Sequence, residues 1–231
     1  MKKLFITMAV ALVALTASAQ RASSTSSSFF STEKANLPVT FGIRGGLNIS
    51  SMSLKDDSDL KSRAGFNIGV AVDFPIMESF YVQSGLYYTS KGFKLENEKS
   101  RTSMTSGIKS ETKVNIGYLE IPVLASYRYN FNDANQLQFN FGPYFAYGLH
   151  GKEKEKTTLD DGYVTHDKEY DWYSDLKAKH FDLGLQIGLG ITLAKHYYAG
   201  IAYEFGLVSQ VKDADGYVKN RNFMVNVGYQ F

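Results

Sequence analysis

The chain has 231 residues, of which 44% are hydrophobic and 14% aromatic, and its formal net charge is +2. This length allows one large all-β domain or two small ones, and the balanced charge excludes a basic field of the size that nucleic-acid binding needs. The chain has no cysteine, which excludes disulfides, cysteine-ligated metals, thiol catalysis and a lipid-modified N-terminal cysteine.

The N-terminus has the pattern of a secretory signal peptide. Two lysines precede an apolar run, Leu4–Leu15, and Ala17-Ser18-Ala19 matches a small-residue cleavage site. The apolar run is too short to span a bilayer, and Ser, Thr and Gln follow it at once. We therefore predict that residues 1–19 are a signal peptide, and that the exported chain begins at Gln20.

The next segment, residues 20–37, is rich in Ser and Thr and has no hydrophobic period. This composition is typical of a flexible leader. No later segment has the roughly 18 uninterrupted apolar residues of a transmembrane helix. We expect the folded domain to comprise residues 38–231.

From Pro38 onward, apolar and polar residues alternate over long segments, which indicates β-strands rather than helices. In Phe181–Ala194, for example, one row contains only Phe, Leu and Ile up to position 193, whereas the other contains Asp, Gly, Gln and Thr. About eight strands are predicted, the lower limit for bacterial membrane barrels. Five alternate strictly (VTFGIRGGLNIS, AGFNIGVAVDF, LQFNFGPYFAYGL, FDLGLQIGLGITLA, NFMVNVGYQF) and three less cleanly (FYVQSGLYYTSKGF, YLEIPVLASYRYNF, YYAGIAYEFGLVSQ).

The connections between these segments alternate in length. Short turns follow Phe74, Phe131 and Ala194, the last being the pair Lys195-His196. This sorting predicts an up-and-down barrel with both termini on the side of the short turns, and a soluble sandwich has no reason to show it. The predicted long loops are 53–61, 96–111, 151–177 and 212–219.

Two kinds of closed barrel have alternating strands, and they differ in the row that faces outward. A soluble ligand carrier packs its apolar row inside, whereas an outer-membrane barrel turns that row to lipid. Rows of Phe, Leu and Tyr would overfill an eight-stranded lumen, and an exterior of Gly, Asn and Gln would be poor in charge for a soluble protein. We therefore predict an all-β, eight-stranded antiparallel up-and-down transmembrane β-barrel in the cell outer membrane.

Strand parity places several charged side chains on the inward face of this barrel. Unpaired buried charge is costly, so we expect these residues to pair in a lumen charge network. For Asp73 and Arg128, which lie close to the short turns, a position in headgroups or water is the alternative. The predicted network consists of Arg44, Asp73, Glu120, Arg128, Asp182 and Glu204.

Pro122 and Pro143 lie within predicted strands of a closed barrel, which has no free edge for a residue without an N–H donor. We expect the two prolines to lie close together, with a bulge or kink beside them. The parity of residues 120–123 stays open for this reason.

The last apolar row ends in Tyr229 and Phe231. A terminal aromatic residue on an alternating final strand resembles the signal by which outer-membrane barrels are recognised for assembly. We therefore predict that these residues form an assembly signal and that the barrel-assembly machinery is a partner. With Tyr127, Tyr129 and Tyr197 they would form an aromatic girdle at the membrane interface.

Three pieces of the sequence resemble the PorT-like outer-membrane β-barrel family, which is abundant in Bacteroidota. They contain Gly45–Asn48, Ser90–Gly92 and Leu119–Pro122, and the match covers about Val39–Phe231. The resemblance implies an eight-stranded outer-membrane barrel. The founding member is linked to protein secretion, but the resemblance brings no catalytic residues to this chain.

Catalysis and metal binding find little support in the sequence. His150 and His180 flank one long loop near Asp171, Ser174 and Asp182, the best constellation for a Ser-His-Asp site of a rim-located lipid enzyme, but no spacing motif accompanies them. The acidic residues of that loop lack the order of a calcium site. We predict no catalytic residues, no cofactor and no metal.

The remaining classes are a channel and an interaction protein. Eight strands leave no open bore, so a channel would be small or gated. We favour a structural or interaction protein, secretion-accessory or surface-binding, that contacts outer-membrane lipid and binds a protein partner through its long outer loops.

Overall fold

The computed structural model describes residues 37–54, 60–99, 108–132, 134–159, 164–176, 178–210 and 218–231. The predicted signal peptide and the predicted leader up to Asn36 lie outside these residues. The described part of the chain forms nine β-strands: β1 (Thr40–Leu54), β2 (Leu60–Met77), β3 (Phe80–Lys99), β4 (Ile108–Asn132), β5 (Asn135–Leu159), β6 (Val164–Asp171), β7 (Phe181–Leu193), β8 (Tyr197–Gly206) and β9 (Val218–Gln230).

No helix in the described ranges has the length and apolar character needed to span a bilayer.

Eight of the nine strands close into a ring. β1 pairs with β2 on one side and with β9 on the other, and the remaining neighbours are β3, β4, β5, β7 and β8 in that order. Every pairing is antiparallel. The predicted eight-stranded barrel is therefore confirmed.

Exposure alternates along the strands, with apolar side chains outside. In β1, Arg44 is buried whereas Leu47 is 73% exposed. In β7, Asp182 is buried whereas Leu189 is 48% exposed. The outer wall is a band of exposed Phe, Leu, Ile and Val side chains, whereas soluble monomers rarely expose a large contiguous apolar patch. Lipid tails solvate such a band.

The long loops are shorter than predicted because the strands continue beyond the barrel. β3 and β4 remain paired as far as Lys99 and Ile108, and the outer half of β5 pairs with β6. The interpretation of 96–111 and 151–177 as loops is therefore wrong for residues 96–99, 108–111, 151–159 and 164–171. We call the paired segments 92–99, 108–115, 152–159 and 164–171 the tongue. Pairing satisfies backbone groups that a loop leaves to water.

The three short turns and both ends of the described barrel lie together, at what we call the short-turn end; the opposite end is the long-loop end. Phe231 N–H donates to the Phe41 carbonyl there at 2.8 Å. In the β7–β8 turn, Ala194 and Lys195 have φ of 49° and 65°. The central pair is thus Ala194-Lys195, one residue before the predicted Lys195-His196, and both residues adopt the left-handed conformation of a type I′ hairpin.

The predicted bulge at the prolines is wrong. Pro122 pairs with Tyr144, and the register between β4 and β5 is the same on both sides of the prolines. The β3–β4 pairing has a short gap that includes Pro122, and the β4–β5 pairing has a separate gap that includes Pro143, so neither strand needs an extra residue. Ser84 Oγ donates to the Pro122 carbonyl at 2.8 Å. The register shifts instead beside Leu149, between the pairs of Gly117 and Tyr118.

Candidate functional site in the barrel interior

Lys91 lies in the middle of the interior and binds two carboxylates. Its Nζ is 2.7 Å from Glu120 Oε2 and 2.7 Å from Glu204 Oε2, and all three side chains are buried. The ammonium also lies 4.5 Å from the centroid of the Tyr144 ring, a cation–π contact. Three strands, β3, β4 and β8, are thereby joined through one cation. We call Lys91, Glu120 and Glu204 the central cluster.

A second cluster, Arg44, Asp73 and Arg128, lies nearer the short-turn end. Asp73 Oδ2 is 2.7 Å from Arg128 Nη2 and 3.8 Å from Arg44 Nη2. Gln83 Nε2 donates to Asp73 Oδ1 at 2.8 Å, and the Arg44 guanidinium lies 3.9 Å from the centroid of the Tyr198 ring. The paired charges and aromatic faces compensate for the water that these groups lose on burial. We call this group the arginine cluster.

Asp182 is held by hydrogen bonds near the long-loop end. The Tyr144 hydroxyl and Asn220 Nδ2 donate to Oδ2 at 3.2 and 2.8 Å. The Leu183 N–H donates to Oδ1 at 3.0 Å. A carboxylate with several such donors is stabilised without a cation in direct contact.

The six residues of the proposed lumen network are all buried, but they fall into three groups rather than one. Arg44, Asp73 and Arg128 form the arginine cluster, Glu120 and Glu204 meet at Lys91, and Asp182 stands apart. Asp73 and Arg128 are only 2% and 3% exposed, so they lie in the interior and not in headgroups or water.

Lys91 is the interior residue that sequence reasoning missed. It lies within Ser90-Lys91-Gly92, a piece that drew attention only through the family resemblance. Gln83, Thr89 and Lys91 fall in one row of β3, and all three are buried. Because Gln83 and Lys91 are eight residues apart on one strand, the two-residue alternation puts them on the same face. Continuing the inward assignment of Gln83 to Lys91 would have placed this lysine in the lumen with Glu120 and Glu204.

A polar cavity of about 40 Å³ separates the two clusters. This volume holds roughly one to three water molecules. Asn67, Thr89, Asn140 and Asn226 line it, and each has a buried polar atom without a hydrogen-bond partner in the described part of the chain. Such groups favour internal water, but the volume is far too small for an aqueous pore.

Apolar side chains close the long-loop end. Trp172 packs against Gly151, where an added Cβ would lie 2.6 Å from the Trp172 Cβ. The Phe93 ring lies edge-on to Trp172, with centroids 6.3 Å apart. We call this cluster the apolar cap, because it separates the central cluster from water outside. Its buried members are Met52, Val114, Ile116, Tyr118, Tyr144, Ala146, Trp172 and Ala178.

The short-turn end opens into a polar recess of about 570 Å³. Asn130, Asn132, Gln136 and Gln230 contribute to its lining, and Arg128 also borders it. Because Arg128 is paired with Asp73, the recess ends at the arginine cluster.

The histidines proposed for a Ser-His-Asp site have other contacts. His150 Nε2 lies 3.0 Å from the Tyr88 hydroxyl, and His180 Nδ1 lies 2.8 Å from the Gly148 carbonyl. The Ser174 side chain bonds to Asp171. None of these contacts links Ser174 to a histidine. The described residues also contain no group of three His, Cys, Asp or Glu side chains placed to hold a metal ion.

The terminal aromatic residues lie on the outer wall at the short-turn end. Phe231 is 67% exposed, and the Tyr229 ring contacts those of Phe231 and Tyr197, with centroids 5.5 and 5.7 Å apart. This position suits amphipathic rings at a membrane interface.

Comparisons with known proteins identify the family of this barrel. A family model described as "Outer membrane protein beta-barrel domain" matches residues 19–210. Among solved structures, Ail of Yersinia pestis is 16% identical, with 84% of this chain and 100% of that chain covered and a TM-score of 0.39. OprG of Pseudomonas aeruginosa is 16% identical, with coverages of 86% and 97% and a TM-score of 0.39. Neisserial surface protein A is 14% identical, with coverages of 84% and 98% and a TM-score of 0.38.

A search of curated proteins found no match. The family model covers more than half of the chain and agrees with the closed ring, its apolar outer wall and its polar interior. The chain belongs to the outer membrane protein β-barrel domain family, and its barrel lies in the cell outer membrane.

Proposed function

We propose that this protein is a closed barrel with a structural or interaction role at the cell surface. The observation that carries the proposal is the filled interior, in which the arginine cluster, the central cluster and the apolar cap follow one another along the barrel axis. A solute would have to displace all three. Removing one partner of a buried ion pair costs about 3–5 kcal/mol, so a steady open pore is disfavoured.

The tongue supports the interaction role. It carries ordered strands and charged side chains beyond the apolar band, on the side that faces the exterior when the short turns are periplasmic. β6 pairs only with β5 among the described strands, so its other edge is available to an extended segment of a partner protein. The resemblance of Leu119–Pro122 to the PorT-like family favours a secretion-accessory role within this class.

Two measurements test the proposal with the purified full-length protein and with cells. In planar bilayers we expect no steady conductance, and a stable open level in the wild type would contradict the closed barrel. In cells, we expect a photo-crosslinking side chain at Thr165 in β6 to give a discrete adduct that the same probe at Asn135, the first residue of β5 at the short-turn end, does not give. Identical patterns from both positions, or no adduct at Thr165, would contradict docking at the tongue.

A further inference from the structure

The strand β6 forms one edge of the tongue, and its hydrogen bonds show which backbone groups point away from the sheet. Just after β6, the Trp172 N–H donates to the Gly151 carbonyl at 3.0 Å. The register between β5 and β6 is constant from His166 to Asp171, and the N–H and C=O groups alternate in direction along a strand. The even-numbered residues of β6 therefore bond toward β5, whereas residues 167, 169 and 171 point toward the open edge.

The last of these three residues already has partners. The Asp171 N–H donates to Asp175 Oδ2 at 2.8 Å, and the Asp171 side chain accepts two N–H bonds from the following turn. In the described part of the chain, Asp167 and Glu169 face no further strand on this side. An antiparallel segment added to the edge would form its hydrogen-bonded pairs directly opposite these two residues.

The same two residues bring negative charge to the edge. The side chains of Asp167 and Glu169 are both exposed, and they lie on the outward face, opposite Lys156 and Lys154 of β5. These lysines compensate for the acidic residues from one side. Because a side chain in a sheet has a lateral neighbour in each adjacent strand, a second neighbour would come from the added segment. Opposite charge is favourable at that position and like charge is unfavourable.

The other face of β6 restricts the pattern of such a segment. Lys168 is exposed on that face and lies opposite Glu155. A continuous basic run would therefore place a cation against Lys168, whereas basic residues at alternate positions meet only the acidic face. Residues 152–156, which alternate Lys and Glu, already pair with β6 in this way on its other side.

A second copy of the chain fits this edge poorly. Two copies related by a two-fold axis would pair their β6 strands antiparallel, and residues directly opposite one another then have the same parity. Every such register that pairs both Asp167 and Glu169 with residues of the other β6 places carboxylates directly opposite each other. Like charges in this position destabilise a strand pair.

We propose that the open edge of β6 binds an extended segment of a partner protein in which Lys or Arg occupies alternate positions, opposite Asp167 and Glu169. This inference rests on the docking at the tongue proposed above and adds the chemistry of the partner. The backbone hydrogen bonds hold the segment, and the charge pattern selects it.

Peptide binding to the full-length protein in zwitterionic detergent tests this selection. The probes are three fluorescent peptides: the alternating TKTKTKT, the blocked KKKTTTT of the same composition, and TKTKTKT with N-methylated lysines, which lack the backbone N–H. The edge variant Asp167→Asn/Glu169→Gln removes both carboxylates from β6. The control Glu96→Gln/Glu111→Gln removes two carboxylates from the outward face of β3 and β4, where they contact Lys61 and Lys113.

We expect wild type and the control to bind the alternating peptide alike. The edge variant should bind it roughly tenfold more weakly, the order expected from two opposite-charge pairs, and wild type should bind the other two peptides with a similar loss. Equal binding of the blocked peptide, unchanged binding by the edge variant, or an equal loss in the control would each overturn the inference. The comparison among peptides needs only wild type, so it holds even if the edge variant folds poorly.

The photo-crosslink at Thr165 separates this inference from the proposed function. An adduct that forms equally in wild type and in the edge variant would leave docking at the tongue intact and overturn the basic partner. An adduct of twice the chain mass would identify a second copy as the occupant and overturn it as well. Absence of any adduct in wild type contradicts the proposed function itself.

Discussion

At the scale of single residues, Lys91 has the most consequential contacts, because it separates two buried carboxylates from different strands. Lys91→Met retains much of the side-chain volume but leaves Glu120 and Glu204 without their cation. An uncompensated buried charge of this kind costs about 3–5 kcal/mol. We expect the variant to unfold at a clearly lower temperature, measured by the heat-dependent shift of the folded band on gels.

The matched control for this substitution is Lys94→Met. It removes the same charge from the same strand, at an outward position beyond the barrel, so a change within about 0.5 kcal/mol is expected. If adding Glu120→Gln and Glu204→Gln to Lys91→Met restored stability, the loss would be due to the two buried carboxylates that no longer have a cation. Equal stability of Lys91→Met and wild type would contradict the role given to the central cluster.

A second prediction for a single residue concerns Phe231, which we proposed as part of the assembly signal. Phe231→Ala should reduce the amount of folded protein in the outer membrane several-fold, yet leave refolding of the purified chain in detergent unchanged. Phe223→Ala, another outward position of β9, provides the control, because it removes a similar ring away from the terminus. Equal membrane levels for the two variants would show that the terminal ring has no special part in assembly.

At the scale of elements, the β7–β8 turn has a sequence poorly suited to its backbone. Ala194 and Lys195 both have positive φ, for which Asn and Gly are preferred. Since a left-handed conformation costs a non-glycine residue about 1–2 kcal/mol, Ala194→Asn/Lys195→Gly should raise the free energy of unfolding by about 1–2 kcal/mol. Urea titration of the protein in lipid vesicles measures this, and an unchanged or lower midpoint would contradict the turn assignment.

The turn after β6 holds Trp172, the only tryptophan in the chain, and supplies a fluorescence reporter. Asp171 Oδ1 accepts N–H bonds from Tyr173 and Ser174 at 2.9 and 2.8 Å. These bonds, with one from the Ser174 side chain, lower the pKa of Asp171. Because the pKa of Asp171 is lower in the folded protein than in the unfolded chain, its hydrogen bonds stabilise the turn fully at any pH above the ordinary carboxyl pKa. This stabilisation is lost as the pH falls through the lowered pKa.

We therefore expect Trp172 emission to stay constant at neutral pH and to shift to longer wavelength only in acid, below the ordinary aspartate range of about 4. Asp171→Ala should show the shifted emission at neutral pH, and Asp167→Ala, on the outward face of β6, should not. The same spectrum for all three proteins would mean that Asp171 does not hold the apolar cap in place.

The elements also show which features the sequence can predict. Alternation of large apolar and polar residues gives the parity of the barrel strands directly, which is why Arg44 and Asp182 could be placed inside. The tongue escaped prediction because segments such as Lys152–Lys156 are charged on both faces. Their strand conformation comes from cross-strand pairing rather than from any hydrophobic period.

Register shifts are a second feature that the alternation of apolar and polar residues does not predict. The shifts between Ser62 and Asn67 in β2, and beside Leu149 in β5, each change which face a later residue occupies. Gly65 and Gly148 lie at these shifts, but glycine occurs throughout the strands and does not single them out, whereas Pro122 and Pro143, which suggested a bulge, cause none.

At the scale of the whole molecule, an apolar outer wall surrounds a filled interior. The same alternation that exposes Leu189 to lipid buries Gln138 inside. In a barrel of eight strands the inward side chains fill the lumen. This closure supports the structural or interaction role that we propose, in which partners would bind the tongue, the recess at the short-turn end or the lipid-facing wall.

The most direct test of this claim is spin-label accessibility in lipid vesicles, which the absence of cysteine makes simple. Labels on Leu189→Cys and Gln138→Cys report the outer wall and the interior. We predict that the outer label collides with oxygen dissolved in lipid, and that the inner label is shielded from both oxygen and a water-soluble nickel complex. Free access of the nickel complex to the label at position 138 would mean an open bore and would contradict the account.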